Sequence, residues 1–169
     1  MELWDAYDVR GNSLEHTLIR GEEVPAGEYH LVADILVRHT DGSFLLTQRD
    51  PQKPAFPGCW ELSAGGSVLA GETALSGAMR ELREETGIQA DALAPAFEIT
   101  WPGRHAIYHG YVCRYAGDKA ITLQPGETVA YRWLTLPELL AFMNDPTFVA
   151  TSRERWGVYL NTLKEAELK

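Results

Sequence analysis

The stretch from Gly66 to Ile88 fixes nine residues of restricted type at set offsets within 23 positions. They are two glycines, one arginine, four glutamates and two aliphatic residues, namely Gly66, Glu72, Arg80, Glu81, Leu82, Glu84, Glu85, Gly87 and Ile88. The run from Thr73 to Thr86 contains good helix formers, and a glycine just past a helix end commonly takes the left-handed cap conformation. The spacing therefore predicts a helix over 73–86, preceded by a glycine-containing loop over 64–72.

One side of this helix is predicted to pack on a sheet, because apolar residues recur there at three- and four-residue spacing at Leu75, Ala78, Met79 and Leu82. Glu81, Glu84 and Glu85 fall on another side. Acidic neighbours at this spacing destabilise a helix by roughly 0.2–0.5 kcal/mol per pair, which a bound cation would offset. Oxygen ligands select hard cations, and Mg²⁺ combines a few carboxylates with substrate phosphate oxygens. The pattern therefore predicts a site for Mg²⁺, with Mn²⁺ as a substitute; taken alone, the three glutamates would also suit a solvated acidic face.

The complete set of offsets matches the pattern G-x5-E-x7-R-E-U-x-E-E-x-G-U, where U is a bulky aliphatic residue, and on these residues the chain resembles the Nudix hydrolases. The resemblance implies an α/β fold, a Nudix-type alpha/beta/alpha sandwich with a mixed central sheet. It also implies that Arg80 orients a glutamate of the helix. The metal ligands that it implies are Gly65, through its backbone carbonyl, and Glu72, Glu81, Glu84 and Glu85.

The catalytic base is assigned less directly, because enzymes of this family take it either from the helix or from a later loop. Glu81 and Glu127 are the two candidates. Glu127 precedes a predicted late strand, as an acidic residue does in the family, but it also follows Pro125-Gly126 and suits a solvated loop. Both candidates remain open at this point.

The sequence Ser63-Ala64-Gly65-Gly66 and the opening Trp4-Asp5-Ala6-Tyr7-Asp8 resemble the isopentenyl-diphosphate-isomerase-like branch of the Nudix hydrolases. True isomerases of that branch use a protonating cysteine. Here that position is Gly65, and Cys59 lies six residues earlier. Hydrolysis of a phosphoanhydride bond is therefore the preferred function. An isomerase-like activity and a non-catalytic nucleotide-sensing module are the alternatives.

The substrate expected from the resemblance is a nucleoside diphosphate or a nucleoside diphosphate linked to another small molecule. Arg49 and Arg104 are candidates for phosphate or base contacts, and Phe56 is a candidate for stacking on a base. Further candidates are Trp101, His105, Tyr108 and His109. Each of these residues also suits an ordinary surface or core position.

Composition limits the partners and the cellular compartment. A chain of 169 residues with 45% hydrophobic content suits a single domain over 1–169. A net charge of −9 disfavours nucleic-acid polymers and anionic membranes. Two cysteines outside any Cys-x-x-Cys unit suggest reduced thiols, and the N-terminal residues lack a secretory pattern. We therefore expect a cytoplasmic enzyme.

The remaining sequence predicts alternating strands and two further helices. Asp41-Gly42 marks a hairpin, 50–58 is a proline-rich loop, and Thr135 with Glu138 forms a capping-box pattern for a helix that runs through Met143. The predicted strands are Tyr29–Val37, Ser43–Gln48, Phe97–Trp101, His105–Tyr115 and Thr128–Leu134. The last helix, Thr151–Lys164, has an apolar stripe that would serve either the core or a homodimer contact.

Overall fold

The computed structural model describes residues 1–167 and, within them, contains a mixed sheet of seven strands and a separate two-stranded hairpin. The elements in chain order are β1 (Leu3–Tyr7), β2 (Ser13–Ile19), β3 (His30–His39), β4 (Phe44–Arg49), β5 (Trp60–Leu62), β6 (Ala64–Ser67), α1 (Ala74–Thr86), β7 (Ala94–Trp101), β8 (Ala106–Tyr115), β9 (Thr128–Leu134), α2 (Leu136–Phe142) and α3 (Ala150–Glu167). Every strand and helix predicted from the sequence is present, with ends shifted by a few residues.

The large sheet is mixed because β3 and β8 run parallel, from His30 opposite Ala106 to His39 opposite Tyr115. The other pairings are antiparallel: β6 and β4 with β3, β7 with β8, and β5 and β9 with β4. The predicted mixed sheet is confirmed.

Helices cover both faces of this sheet, since alternate residues of a strand point to opposite sides. On one face Ile35 packs in a core with Leu82 of α1. On the other face Leu36 packs with Leu139 of α2 and Trp156 of α3. The result is the alpha/beta/alpha sandwich expected from the resemblance. The single-domain organisation expected for 1–169 stays a prediction.

The β1–β2 hairpin was not predicted, because β2 is exposed along most of its length and shows no alternation of polar and apolar residues. A small core holds the hairpin together, in which Trp4 and Leu18 are buried. Trp4 also stacks on His30 of β3, with the ring centroids 4.0 Å apart. The Gly71 N–H donates to the Asp5 carboxylate at 2.8 Å, so the hairpin is attached directly to the loop before α1.

Helix α1 begins one residue after the predicted start and ends where predicted, and both of its ends are capped. Thr73 and Ser76 exchange hydrogen bonds as a capping box at the N-terminus. At the C-terminus Gly87 adopts the left-handed conformation with φ 74° and donates to the Arg83 carbonyl. The prediction of the apolar stripe is wrong for Leu75, whose side chain is 39% exposed. On that turn of the helix, Gly77 lies against Val68 instead.

The predicted loop over 64–72 is partly wrong as well. Ala64–Ser67 form β6, which pairs with β3 in the register Asp34 to Gly65 and Ala33 to Gly66. Glycine has low strand propensity, and here the absence of side chains allows other groups to approach the strand closely. The first part of the segment that leads to α1 is therefore held by pairing with β3.

The C-terminal predictions agree with the structure. Thr135 donates its backbone N–H to the Glu138 carboxylate at 2.8 Å, which completes the predicted capping box of α2. The apolar residues Trp156 and Leu160 of α3 are fully buried, so the stripe serves the core. A homodimer contact stays a prediction. No helix within residues 1–167 is both long and apolar enough to cross a membrane.

Candidate active site

A cavity of about 710 Å³ opens between α1, β6, the loop after β4 and the β1–β2 hairpin. Its size falls within the range of about 300–1,000 Å³ typical of small-molecule sites. The predicted site residues that line it are Arg49, Gly65, Arg80, Glu81, Glu84, Glu85, Arg104 and Glu127. Glu72 and Phe56 lie outside its lining. The structure thus brings together candidates that are separated by up to 78 positions in the sequence.

Arg80 is the centre of a hydrogen-bond network on α1. Its Nε donates to Glu72 Oε1 at 2.7 Å, and its Nη1 donates to Glu81 Oε1 at 2.7 Å and to Glu84 Oε2 at 3.2 Å. Its Nη2 also donates to the Ser67 carbonyl at 3.1 Å, which ties α1 to β6. Arg80 therefore orients the acidic residues around it.

Glu72 is held by this network behind the cavity wall. Besides its contacts with Arg80, it accepts a hydrogen bond from the Leu69 N–H at 3.0 Å. The hydrogen bond from Arg80 is the main reason that the pKa of Glu72 is lowered. In this geometry Glu72 fixes the position of the Arg80 side chain. Its predicted metal-ligand role, direct or through water, stays a prediction.

Glu81 lies directly against the backbone of β6. A Cβ atom added to Gly66 would lie 2.5 Å from the Glu81 carboxyl carbon, far inside van der Waals contact. Only glycine at position 66 allows this approach. Burial raises the pKa of Glu81, and the hydrogen bond from Arg80 opposes that effect.

The surroundings of Glu85 offset a negative charge poorly. Its carboxylate accepts a hydrogen bond from the Gly65 N–H at 3.1 Å. Burial, together with the nearby charges of Glu61 and Glu81, raises the pKa of Glu85 to about 8. Glu61 itself pairs with Arg49 at 2.7 Å. A cation bound here would relieve the repulsion among these carboxylates.

The donor set fits a hard divalent cation in its chemistry. In the part of the chain that the structure describes, no three His, Cys, Asp or Glu side chains are gathered around one point. Glu81 and Glu84 instead accept from Arg80, and Glu85 accepts from Gly65. All of these ligand atoms are oxygens, the type that Mg²⁺ and Mn²⁺ prefer. Glu81, Glu84 and Glu85 are the residues that would hold the ion.

Basic side chains from other elements share the cavity with the glutamates. Arg49 donates from Nε to the Ala55 carbonyl at 3.0 Å, which fixes the loop after β4. Lys53 and Arg20, which the sequence did not single out, also line the cavity. Burial lowers the pKa of Lys53, and the charges of Arg49 and Arg20 add to this effect. A site where cations repel each other favours an anionic ligand.

Glu127 lies in the cavity but forms an ion pair with Lys53. Its backbone carbonyl also accepts from the Asp50 N–H at 2.9 Å, so the loop after β4 and the segment before β9 are joined at two points. Glu127 thus lies in the loop before β9, with its side chain 36% exposed and paired with Lys53. Its predicted role as a base stays a prediction.

The candidates for substrate contact occupy different positions. Arg104 lines the cavity, and its guanidinium lies 5.6 Å from the ring centroid of Phe56 just outside. Tyr108 also lines the cavity. His105 bonds to the Glu28 carbonyl, and His109 lies 3.7 Å from Glu98. His105 and His109 therefore have structural partners outside the cavity.

The hairpin residues Glu2 and Arg20 and the buried His30 were missed as cavity residues. Their signal in the sequence is weak, because Glu2 and Arg20 are isolated charged residues at the ends of the hairpin without distinctive spacing. Cys59 and Cys113 are both unpaired, as expected, and neither lines the cavity.

Comparison with known proteins gives a consistent result. The family model described as NUDIX domain matches residues 28–154. An uncharacterized Nudix hydrolase of Listeria monocytogenes is 31% identical over 150 residues, which cover 88% of this chain and 89% of that protein. An isopentenyl-diphosphate Delta-isomerase of Klebsiella pneumoniae is 31% identical over 118 residues, or 66% of this chain and 64% of the isomerase. The crystal structure of DR0079 from Deinococcus radiodurans superposes with a TM-score of 0.70 at 26% identity, covering 86% of this chain and 90% of that one.

Proposed function

Because the chain belongs to the Nudix hydrolase family, we propose that it hydrolyses a phosphoanhydride bond in a nucleoside diphosphate or a nucleoside diphosphate-linked small molecule, with Mg²⁺ as its cofactor. The observation that carries this proposal is the composition of the cavity. Glu81, Glu84 and Glu85 share it with the cations Arg49 and Lys53. Such a site suits a bound metal ion and a polyphosphate together.

The chemistry requires a water oxygen to bond to phosphorus while the bridging P–O bond breaks and a base takes the proton. Glu81, Glu84 and Glu85 would hold a divalent ion, which would neutralise charge on the diphosphate and lower the pKa of the attacking water. Arg80 contributes by fixing Glu81 and Glu84 in position. Phosphoryl transfer depends mainly on such positioning and on electrostatic stabilisation.

Glu81 is our first choice for the base, and Glu127 is the second. Burial raises the pKa of Glu81, which makes it a better proton acceptor in its ionised form. The close contact with Gly66 holds its carboxylate in one place. Glu127 is paired with Lys53, so it would have to give up that ion pair before accepting a proton.

The basic residues of the cavity would bind the substrate. Lys53 and Arg49 would contact phosphate oxygens, and Arg104 would contact either phosphate or base. A diphosphate alone would leave much of the 710 Å³ cavity empty, which supports a substrate with a further group attached. Phe56 could reach that group from the rim, where it already contacts Arg104.

The test is an assay of nucleoside diphosphates, nucleoside diphosphate-linked compounds and prenyl diphosphates with Mg²⁺ or Mn²⁺, in which release of phosphate or pyrophosphate is measured. We expect turnover of at least one nucleotide compound and none when the metal is chelated. Conversion of isopentenyl diphosphate to its isomer without phosphate release would favour the isomerase alternative. Tight nucleotide binding without product under either metal would favour the sensing module.

A further inference from the structure

Arg155 of α3 reaches the back of the cavity wall without lining the cavity itself. Its side chain is only 10% exposed, and its Nε donates to Asp34 Oδ2 at 2.6 Å, where Asp34 is 7% exposed. The same guanidinium lies 4.3 Å from the ring centroid of Tyr108, a residue of the cavity wall. One buried side chain thus contacts both β3 and β8 next to the site.

The strand register explains why Arg155 sits at this point. His30, Val32 and Asp34 lie on one face of β3, because side chains alternate between faces. Tyr108 of β8 is opposite Val32 on the same face. His30, Val32 and Tyr108 line the cavity, and the following residues on this face belong to the apolar core under α3. The pair of Asp34 and Arg155 therefore forms the boundary between cavity and core.

Asp34 also supports the acidic side of the cavity. It pairs in register with Gly65, and a Cβ atom at Gly65 would lie 3.5 Å from the Asp34 Cα and 2.9 Å from the Ala33 carbonyl. Gly65 in turn donates its N–H to Glu85. A shift of Asp34 would therefore move the backbone that contacts a proposed metal ligand.

We propose that Arg155 is a positioning residue of the active site, which fixes the Tyr108 ring as a wall for the substrate and holds Asp34 against Gly65. This inference rests on the proposed hydrolase function. A buried ion pair adds little net stability relative to a well-packed apolar pair, so a role in the geometry of the site accounts for Arg155 better than stability does. Its planar guanidinium can also cover an aromatic ring, which a lysine ammonium does less well.

The test compares Arg155→Met, Arg155→Lys and the double variant Asp34→Leu/Arg155→Met with the wild type, by thermal unfolding and by KM and kcat. Arg155→Met leaves Asp34 buried without its partner, so we expect lower thermal stability together with a drop in kcat/KM of about tenfold to a hundredfold. The double variant removes both charges and should regain thermal stability, while its kcat/KM stays low. Arg155→Lys keeps the charge and should show a smaller loss of kcat/KM.

Arg153→Met is the matched control, because Arg153 lies on the same helix and donates to the Met143 carbonyl at 3.2 Å, outside the cavity. It should lower thermal stability with KM and kcat unchanged. The inference is overturned if Arg155→Met and Arg153→Met have the same kcat/KM, or if the double variant regains kcat/KM along with stability. Wild-type protein that hydrolyses no compound with either metal overturns the proposed function and this inference together.

Discussion

Replacing Glu85 by Gln tests the proposed metal site, because it removes one negative charge and keeps an oxygen that can accept from the Gly65 N–H. Loss of a residue that supports a metal ligand typically costs 10–100-fold in affinity or activity, and loss of a ligand should cost at least as much. We therefore expect Mg²⁺-dependent kcat/KM to fall by about 100-fold or more. The fold should be unchanged.

The same substitution should make the metal-free protein more stable at alkaline pH. Burial raises the pKa of Glu85 from 4.5 to about 8. Between these values the folded protein retains a proton that the unfolded chain has released, so the free energy of unfolding decreases as pH rises. The full difference corresponds to at most about 5 kcal/mol. Partial solvent exposure of the side chain reduces it, and we expect a gain of about 1–2 kcal/mol for Glu85→Gln above pH 8.

Thermal unfolding with and without Mg²⁺ measures the change in stability and the loss of Mg²⁺ binding in one experiment. At pH 8 the metal-free variant should unfold about 2–8 °C above the wild type. Added Mg²⁺ should stabilise the wild type and leave the variant unchanged. Glu23→Gln makes the same chemical change at an exposed position and serves as the control. Near-normal turnover of Glu85→Gln, or equal stabilisation of both proteins by Mg²⁺, would refute the assignment of Glu85 as a ligand.

Three further substitutions test neighbouring parts of the cavity. Lys53→Met should raise KM for the diphosphate about tenfold, because a charge-assisted contact is lost. Steady-state kinetics would detect this change, and an unchanged KM would exclude Lys53 from phosphate binding. Gly66→Ala places a methyl group against the Glu81 carboxylate and should reduce kcat at least tenfold with the circular dichroism spectrum retained. Burial lowers the pKa of His30 to about 4, so the free energy of unfolding should fall by up to about 3 kcal/mol as pH drops from about 6.5 to about 4. Denaturant unfolding of His30→Gln should show a weaker pH dependence over that range.

The elements that could be predicted from the sequence are those set by local spacing. The helix with Arg80, Glu81, Glu84 and Glu85 follows from the three- and four-residue periodicity and from its capping glycine. The hairpin at Asp41-Gly42 and the capping box at Thr135 are local in the same way. The metal-binding role proposed for the helix could be inferred because its carboxylates lie on one helical turn.

The rest depends on contacts between distant parts of the chain. Lys53 could not be assigned to the site, because its partner Glu127 is 74 residues away. Leu75 was placed on the buried side because periodicity does not show where the sheet ends, and the structure leaves it exposed. Arg155 reaches Asp34 across 121 positions, a separation for which a single sequence offers no pattern.

The β1–β2 hairpin lies before residue 28, where the match to the family model begins, yet it contributes Glu2 and Arg20 to the cavity. We therefore expect the hairpin to influence substrate preference, while α1 serves the proposed hydrolytic step. We expect hairpins of other composition, grafted onto an otherwise unaltered chain, to redirect the enzyme to other diphosphates while the hydrolytic step is preserved. Removing residues 1–27 while keeping α3 should, for the same reason, yield an enzyme with relaxed selectivity.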